Sequence, residues 1–316
     1  MRTTHTEDRQ RQVTDLIVAG EMAPDAIDAV VAAGLAAYAM DRIGDQQQSL
    51  DPRLHRSRLV AAARHAAIRR ATASLVRAWD EAGIDTLLFK GFYLAEFVYP
   101  DPSWRAYSDV DLAVRSRADL SLSEVARLAA EVAARHEFEV VWWHGEEERL
   151  DSHHDRAYNG HELLQLAHIP TGTSVDAHRR LVHSNVSVRR QSDKGERLTR
   201  SVWERATASE FEGATVYLPA HIDSALVGLI AARSWSGDRH ALRPHDPLDL
   251  DMLMRRGGFG RVELREPSPA RAFWYDALLV SERGHRGLAQ FSAAAAAAPG
   301  RVMAVLRELP AAARQV

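Results

Sequence analysis

The stretch of sequence that decides the fold is LLFKGFYLAEFVYPDPSWRAYSDVDLAV, residues 87–114. The apolar run Thr86–Phe89, which overlaps its start, predicts a buried strand, and the alternation over Val110–Val114 predicts a second strand with one polar end. Side chains two residues apart on a strand point to the same face, so Asp109 and Asp111 should share one face. The stretch therefore predicts a small sheet that displays two neighbouring carboxylates.

Two like charges this close repel each other, and a divalent cation such as Mg²⁺, which prefers oxygen ligands, relieves that repulsion. Asp176, at the end of another predicted strand over Ser174–Ala177, is the candidate third carboxylate. The sequence thus predicts a magnesium site made by Asp109, Asp111 and Asp176. On repulsion alone, neutralising Asp109 or Asp111 should leave the stability of the metal-free protein unchanged or raised.

Cations and a glycine accompany the acidic pair. Gly91 follows the first strand at a strand-to-helix turn, where the missing side chain lets the backbone approach a phosphate. Arg105 precedes the pair and can bind a phosphate with its planar fork. Lys90 and Lys194 are the two lysines of a chain otherwise rich in arginine, and Lys90 stands at the predicted turn. Together with the carboxylates, these residues favour phosphate or nucleotide chemistry.

The remaining sequence predicts an α+β fold, with a small mixed sheet flanked by helical segments on both sides. We expect an N-terminal helical region over 1–85, a core over 86–190 and a mainly helical C-terminal domain over 191–316. Helices are predicted before the core over 8–18, 25–41 and 53–81, within it over 122–135, and after it over 247–256, 269–282 and 301–313. Further strands are predicted over 138–143, 163–169 and 214–218.

The segment 144–160 is rich in His, Asp and Glu and predicts a loop. The run that begins at His161 and Glu162 resembles a zinc protease helix motif, but Gln165 stands where the second histidine is needed. The sequence therefore does not support a zinc site.

Composition narrows the classes of protein that fit. The chain has 316 residues, a net charge of −3 and no cysteine. Absence of cysteine excludes disulfides, thiolate nucleophiles and Cys-ligated metals, and it is compatible with the cytoplasm. The near-neutral balance gives no general attraction to DNA or to an anionic membrane, and no apolar segment is long enough to span one. We expect a cytoplasmic protein without a DNA or membrane partner.

A set of short motifs resembles the nucleotidyltransferase superfamily with the DNA polymerase β-like fold, and in particular a branch of poorly characterised nucleotidyltransferases. The motifs are Lys90-Gly91, Arg105, Ser108-Asp109-Val110-Asp111-Leu112 and Asp176-Ala177-His178. The resemblance extends over residues 86–253 and is strongest over 87–178. One departure is Phe92, where the broader superfamily has a small residue.

The resemblance implies a reaction as well as a fold. It implies that two Mg²⁺ ions are held by the acidic triad. Lys90, Gly91, Arg105 and Ser108 would bind the nucleoside triphosphate. A nucleoside monophosphate would pass to a hydroxyl-bearing acceptor, which is a small molecule, a protein or RNA, with release of pyrophosphate. Two alternatives stay open: a toxin- or antitoxin-type nucleotidyltransferase that acts on tRNA or protein, and an inactive binding or scaffold protein, which Phe92 favours.

Overall fold

The computed structural model describes residues 26–32, 34–43, 51–143, 161–181, 189–234 and 245–258. The helices predicted over 8–18, 269–282 and 301–313 and the loop predicted over 144–160 lie outside these residues. The helices are α1 (Ala26–Ala32), α2 (Ala36–Ile43), α3 (Pro52–Glu81), α4 (Lys90–Tyr93), α5 (Leu122–Ala134), α6 (Arg189–Arg205), α7 (His221–Ser234) and α8 (Asp246–Gly257). A π-helical turn, Leu94–Val98, and a 3₁₀ turn, Pro102–Trp104, precede the second strand.

The strands are β1 (Ile84–Phe89), β2 (Asp109–Ser116), β3 (Phe138–Trp143), β4 (Glu162–His168), β5 (Thr173–His178), β6 (Thr207–Phe211) and β7 (Ala214–Leu218). They form one seven-stranded sheet in the order β3-β4-β5-β2-β1-β7-β6. The pairs β2/β5 and β1/β7 are parallel and the other pairs are antiparallel. The mixed sheet with its helices confirms the predicted α+β class.

Local sequence explains where the long helix α3 begins and ends. Pro52 takes a first-turn position that has no need of its missing N–H, and the Asp51 side chain accepts from the backbone N–H of Arg53 at 2.8 Å. Gly83 adopts a left-handed φ of 79° just after the helix, which glycine does without steric cost. The N-terminal prediction was less accurate, because Gly34 at φ 70° interrupts the single helix expected over 25–41 and separates α1 from α2.

The core of the sheet rests on β1, whose six residues are all buried. On one side, Trp79 of α3 is fully buried and its indole N–H donates to the carbonyl of Ala129 in α5 at 3.0 Å. A capping box between Ser121 and Glu124 fixes the start of α5. The sheet and these two helices therefore give β2 a rigid support.

The chain divides into two compact units. The first comprises residues 1–65, 95–106 and 228–316, and the second comprises 66–94 and 107–227. The second unit contains the whole sheet. Among the helices within the described ranges, none has both the length and the apolar character needed to cross a bilayer.

Candidate active site

The three aspartates predicted to form a site lie on adjacent strands of the sheet. Asp111 of β2 is the register partner of Asp176 of β5, and Asp109 is the partner of Ser174. In-register neighbours of parallel strands point to the same face, as do residues two apart on one strand. Asp109, Asp111 and Asp176 therefore share one face, which we call the acidic face.

Asp111 is the most strongly held of the three. Its Oδ1 accepts from Lys90 Nζ at 2.5 Å and lies 2.9 Å from His178 Nε2. Burial alone would raise the pKa of Asp111, but the charge of Lys90 and the bonds from Lys90 and His178 outweigh burial and hold that pKa well below its usual range. Asp111 is consequently a carboxylate throughout the neutral range, with two donors on the same oxygen.

Lys90 reaches Asp111 from the junction between β1 and α4. Phe89, the last residue of β1, is the antiparallel partner of Asp111, so the next residue lies beside the acidic face. Lys90 itself has a φ of 55°, a left-handed conformation that costs a residue with a Cβ about 1–2 kcal/mol. Such strain at a site residue is typical of functional positions, where the surrounding structure holds it in place.

Asp176 has the opposite electrostatic character. Burial raises its pKa, and the neighbouring Asp111 and Asp109 raise it further against the opposing effects of His178 and of a hydrogen bond from Gln165 at 3.1 Å. Asp109 is half-buried and accepts from the hydroxyl of Ser108 at 2.9 Å. The acidic face thus combines one firmly ionised carboxylate with one that accepts a proton more readily.

Phe92, which follows Gly91 in α4, packs into the hydrophobic core. Its side chain is fully buried, and its ring makes edge contacts with Tyr107 at 6.0 Å and Phe211 at 5.8 Å between centroids. Gly91, beside it in α4, is also buried. The bulk of Phe92 is therefore part of the hydrophobic core of the second unit, and its link to an inactive protein stays a prediction.

Arg105, which the sequence assigns to phosphate binding, lies in the first unit and is only 5% exposed. Its Nε donates to Asp249 Oδ1 at 2.7 Å, and its Nη1 donates to the carbonyl of Ala106. The hydroxyl of Tyr99 donates to the same Asp249 oxygen at 2.7 Å. The structure therefore gives Arg105 a buried ion pair within the first unit, and its contact with phosphate stays a prediction.

We expect Asp249→Ala to destabilise the protein by about 3–5 kcal/mol, because it removes the buried carboxylate to which Arg105 Nε and the Tyr99 hydroxyl donate. Asp28→Ala is the matched control, since it breaks a pair with Arg53 that is exposed on both sides and should cost less than about 1 kcal/mol. Urea unfolding of the two variants and the wild type measures the difference. Equal midpoints for all three would show that the Arg105–Asp249 pair contributes nothing to stability.

Two further residues lie on the acidic face. His178 belongs to the Asp176-Ala177-His178 motif, from which either a donor to the carboxylates or a structural hydrogen-bonding residue is expected, and its Nε2 contacts Asp111 directly. Glu162 is the partner of His178, because a bulge between Glu162 and Leu164 shifts the register and turns Glu162 to the face of Gln165. Regular alternation would have placed Glu162 on the opposite face, and only the bulge reveals its position.

The acidic face suits a hard divalent cation in its chemistry. Asp109, Asp111 and Asp176 supply only carboxylate oxygens, and the raised pKa of Asp176 reflects burial together with like charges that a cation would neutralise. Within the described ranges, no three His, Asp or Glu side chains are already arranged as a metal-ligand group. In this arrangement the Lys90 ammonium supplies the positive charge next to Asp111.

The fold and the acidic face define an α+β protein with a carboxylate-lined site, and comparison with known proteins gives its family. Residues 23–265 match the family described as uncharacterised nucleotidyltransferase, and the chain belongs to this family. No curated protein matches the chain. A crystal structure of an antigenic nucleotidyltransferase-like protein from Paracoccidioides brasiliensis is similar at 16% identity, covering 73% of this chain and 92% of the other, with a TM-score of 0.39.

Proposed function

We propose that this protein is a Mg²⁺-dependent nucleotidyltransferase that transfers a nucleoside monophosphate from a nucleoside triphosphate to a hydroxyl-bearing acceptor and releases pyrophosphate. Family membership supports the reaction class. The observation that carries the proposal is the in-register pairing of Asp111 with Asp176, which places three carboxylates on one face beside Lys90.

Asp109, Asp111 and Asp176 are the residues that would hold the cation. When bound, Mg²⁺ would neutralise charge on the triphosphate and lower the pKa of the acceptor hydroxyl. Asp111 suits a permanent ligand because it remains ionised. Asp176 would share the cation and help to deprotonate the acceptor hydroxyl.

The cationic side of the site would bind the triphosphate. The Lys90 side chain is 19% exposed beside Asp111, so it can offer its charge to an incoming phosphate as well as to Asp111. Gly91 adds a backbone without a side chain next to it, and Ser108 adds an exposed hydroxyl. These groups would orient the triphosphate in line with the acceptor, which is the main contribution a protein makes to phosphoryl chemistry.

The test is a transfer screen with the four nucleoside triphosphates, each labelled at the α-phosphate, in the presence of Mg²⁺. Separate reactions contain pooled small-molecule alcohols, protein or total RNA. We expect label to move to one acceptor class together with release of pyrophosphate, and to be lost in Asp109→Asn. Asp119→Asn is the matched control, because Asp119 is an exposed aspartate beyond the far end of β2.

Each outcome of the screen decides between the candidates. Label on RNA or protein would favour a toxin- or antitoxin-type enzyme, and label on a small molecule would exclude it for that acceptor. Nucleotide binding that occurs without transfer to any pool and without hydrolysis would contradict the proposed activity and favour a binding protein.

A further inference from the structure

His178 occupies a fixed position on the acidic face, two residues from Asp176 on β5. It is 1% exposed, and its ring is held between the ring of Phe89, at 5.2 Å between centroids, and that of His161, at 5.0 Å. Its Nε2 lies 2.9 Å from Asp111 Oδ1. A buried imidazole packed on both sides cannot rotate freely, so this contact is set by the fold.

The chemistry of the contact defines which atom carries the proton. An ionised carboxylate only accepts hydrogen bonds, so Nε2 of His178 must donate to Asp111. The Nδ1 atom is buried and has no hydrogen-bond partner among the described residues. These two facts together fit an imidazole that is protonated at Nε2 and carries its lone pair on Nδ1.

The two oxygens of Asp111 consequently differ. Lys90 and His178 both donate to Oδ1, whereas no hydrogen bond from the described part of the chain reaches Oδ2. We propose that His178 is a positioning residue that fixes the Asp111 carboxylate through its Nε2–H donor and leaves Oδ2 to bind the divalent cation. This inference rests on the proposed function. Hydrogen bonds from such outer groups orient a ligand carboxylate and tune its affinity for metal.

Direct binding of Mn²⁺ to the nucleotide-free protein, followed by electron paramagnetic resonance, tests the role without any acceptor. We expect His178→Phe, which keeps a ring between Phe89 and His161, to weaken Mn²⁺ binding by roughly 10–100-fold. His178→Gln retains an N–H donor and should recover most of that loss. His168→Gln is the control: His168 is also buried, but it bonds Thr171 and its register partner Thr173 points to the opposite face from Asp176.

A second measurement tests the hydrogen bond independently of metal. Long-range ¹H–¹⁵N spectra of the histidine rings should show His178 protonated at Nε2, with a slowly exchanging proton that shifts in Asp111→Asn. Protonation at Nδ1 alone would overturn the proposal whatever the metal result.

The outcomes separate this inference from the proposed function. A wild-type protein that binds no Mn²⁺ contradicts the proposed function itself. Binding that is lost in Asp111→Asn but unchanged in His178→Phe, with the fold intact by circular dichroism, overturns only the role of His178.

Discussion

Asp111→Asn and Asp176→Asn are expected to abolish nucleotidyl transfer alike but to change stability in opposite directions. Transfer should fall by more than about 100-fold in both, since even the outer partners of a metal site are worth 10–100-fold. Asp111→Asn should destabilise the metal-free protein by about 1–3 kcal/mol, because it removes the counter-ion of Lys90 and the charged acceptor of His178. Asp176→Asn should leave stability unchanged or raise it, because a buried charge next to other carboxylates is removed.

The pH dependence of stability follows from the same pKa directions. The folded-state pKa of Asp176 is raised, so its contribution to stability is present in full below its unfolded pKa and is lost as the pH rises through the folded value. The gain from Asp176→Asn should therefore be larger at pH 7 than at pH 4. The folded-state pKa of Asp111 is depressed, so its contribution is present above the unfolded pKa and is lost only as the pH falls below about 4.

Thermal unfolding in a chelating buffer, at several pH values, measures both changes. Asp119→Asn provides the control for loss of one negative charge at an exposed position. A fall in melting temperature for Asp176→Asn as large as that for Asp111→Asn would contradict the assignment of unequal carboxylates.

The like-charge repulsion among carboxylates that the sequence predicts affects Asp176 more than Asp111. Spacing along a strand shows that Asp109 and Asp111 share a face, but it does not show what stands opposite. The cations that neutralise Asp111 come from a turn and from a different strand, namely Lys90 and His178. Lys90 and His178 lie far from Asp111 in the chain, so the spacing of Asp109 and Asp111 does not reveal these contacts. Repulsion at Asp111 is therefore smaller than that spacing alone predicts.

The fold was predictable where its signals are local. The buried run of β1, the alternation of β2 and the helix signals of α3 and α5 each depend on residues close together in the chain. The pairing order is not local, so the parallel register between β2 and β5 required the structure. β6 was also missed, because its residues Thr207–Phe211 are largely exposed and give little apolar signal.

The candidate site shows the same division between features with local sequence signals and features that depend on distant residues. Local motifs predicted the three aspartates and Lys90 as site residues, and the structure brings them together. In contrast, Arg105 pairs with Asp249, which is 144 residues away, and no spacing rule predicts such a partner. Glu162 reached the acidic face through a bulge, which changes alternation without leaving a residue signature. Contacts between side chains that are far apart in the sequence therefore could not be predicted from it.

Lys90→Met is expected to weaken nucleoside triphosphate binding and to strengthen binding of Mn²⁺ in the absence of nucleotide. Lys90 Nζ forms an ion pair with Asp111 Oδ1, so its charge competes with a cation for this carboxylate. The Lys90 side chain is also partly exposed, so the same charge attracts phosphate. Methionine keeps the stem and the same backbone requirement at φ 55° but carries no charge. Removing one unit charge a few ångströms away should change each affinity by roughly 3–30-fold.

Two control variants accompany Lys90→Met. Lys90→Arg tests whether charge alone suffices at this position, and Lys194→Ala tests whether loss of any lysine has the same effect. Arginine restores the charge but spreads it over a wide planar fork, so it should recover nucleotide binding only in part. Lys194 is the other lysine of the chain and stands in the polar run Gln191–Glu196, so its loss should change neither affinity. Isothermal titration with a non-hydrolysable triphosphate, and with Mn²⁺ alone, measures the two affinities.

If Lys90→Met weakens the binding of both the nucleotide and Mn²⁺, Lys90 supports the structure of the acidic face and does not compete with the cation. If Lys90→Met binds nucleotide as tightly as the wild type does, Lys90 has no phosphate role. Its charge would then interact only with Asp111.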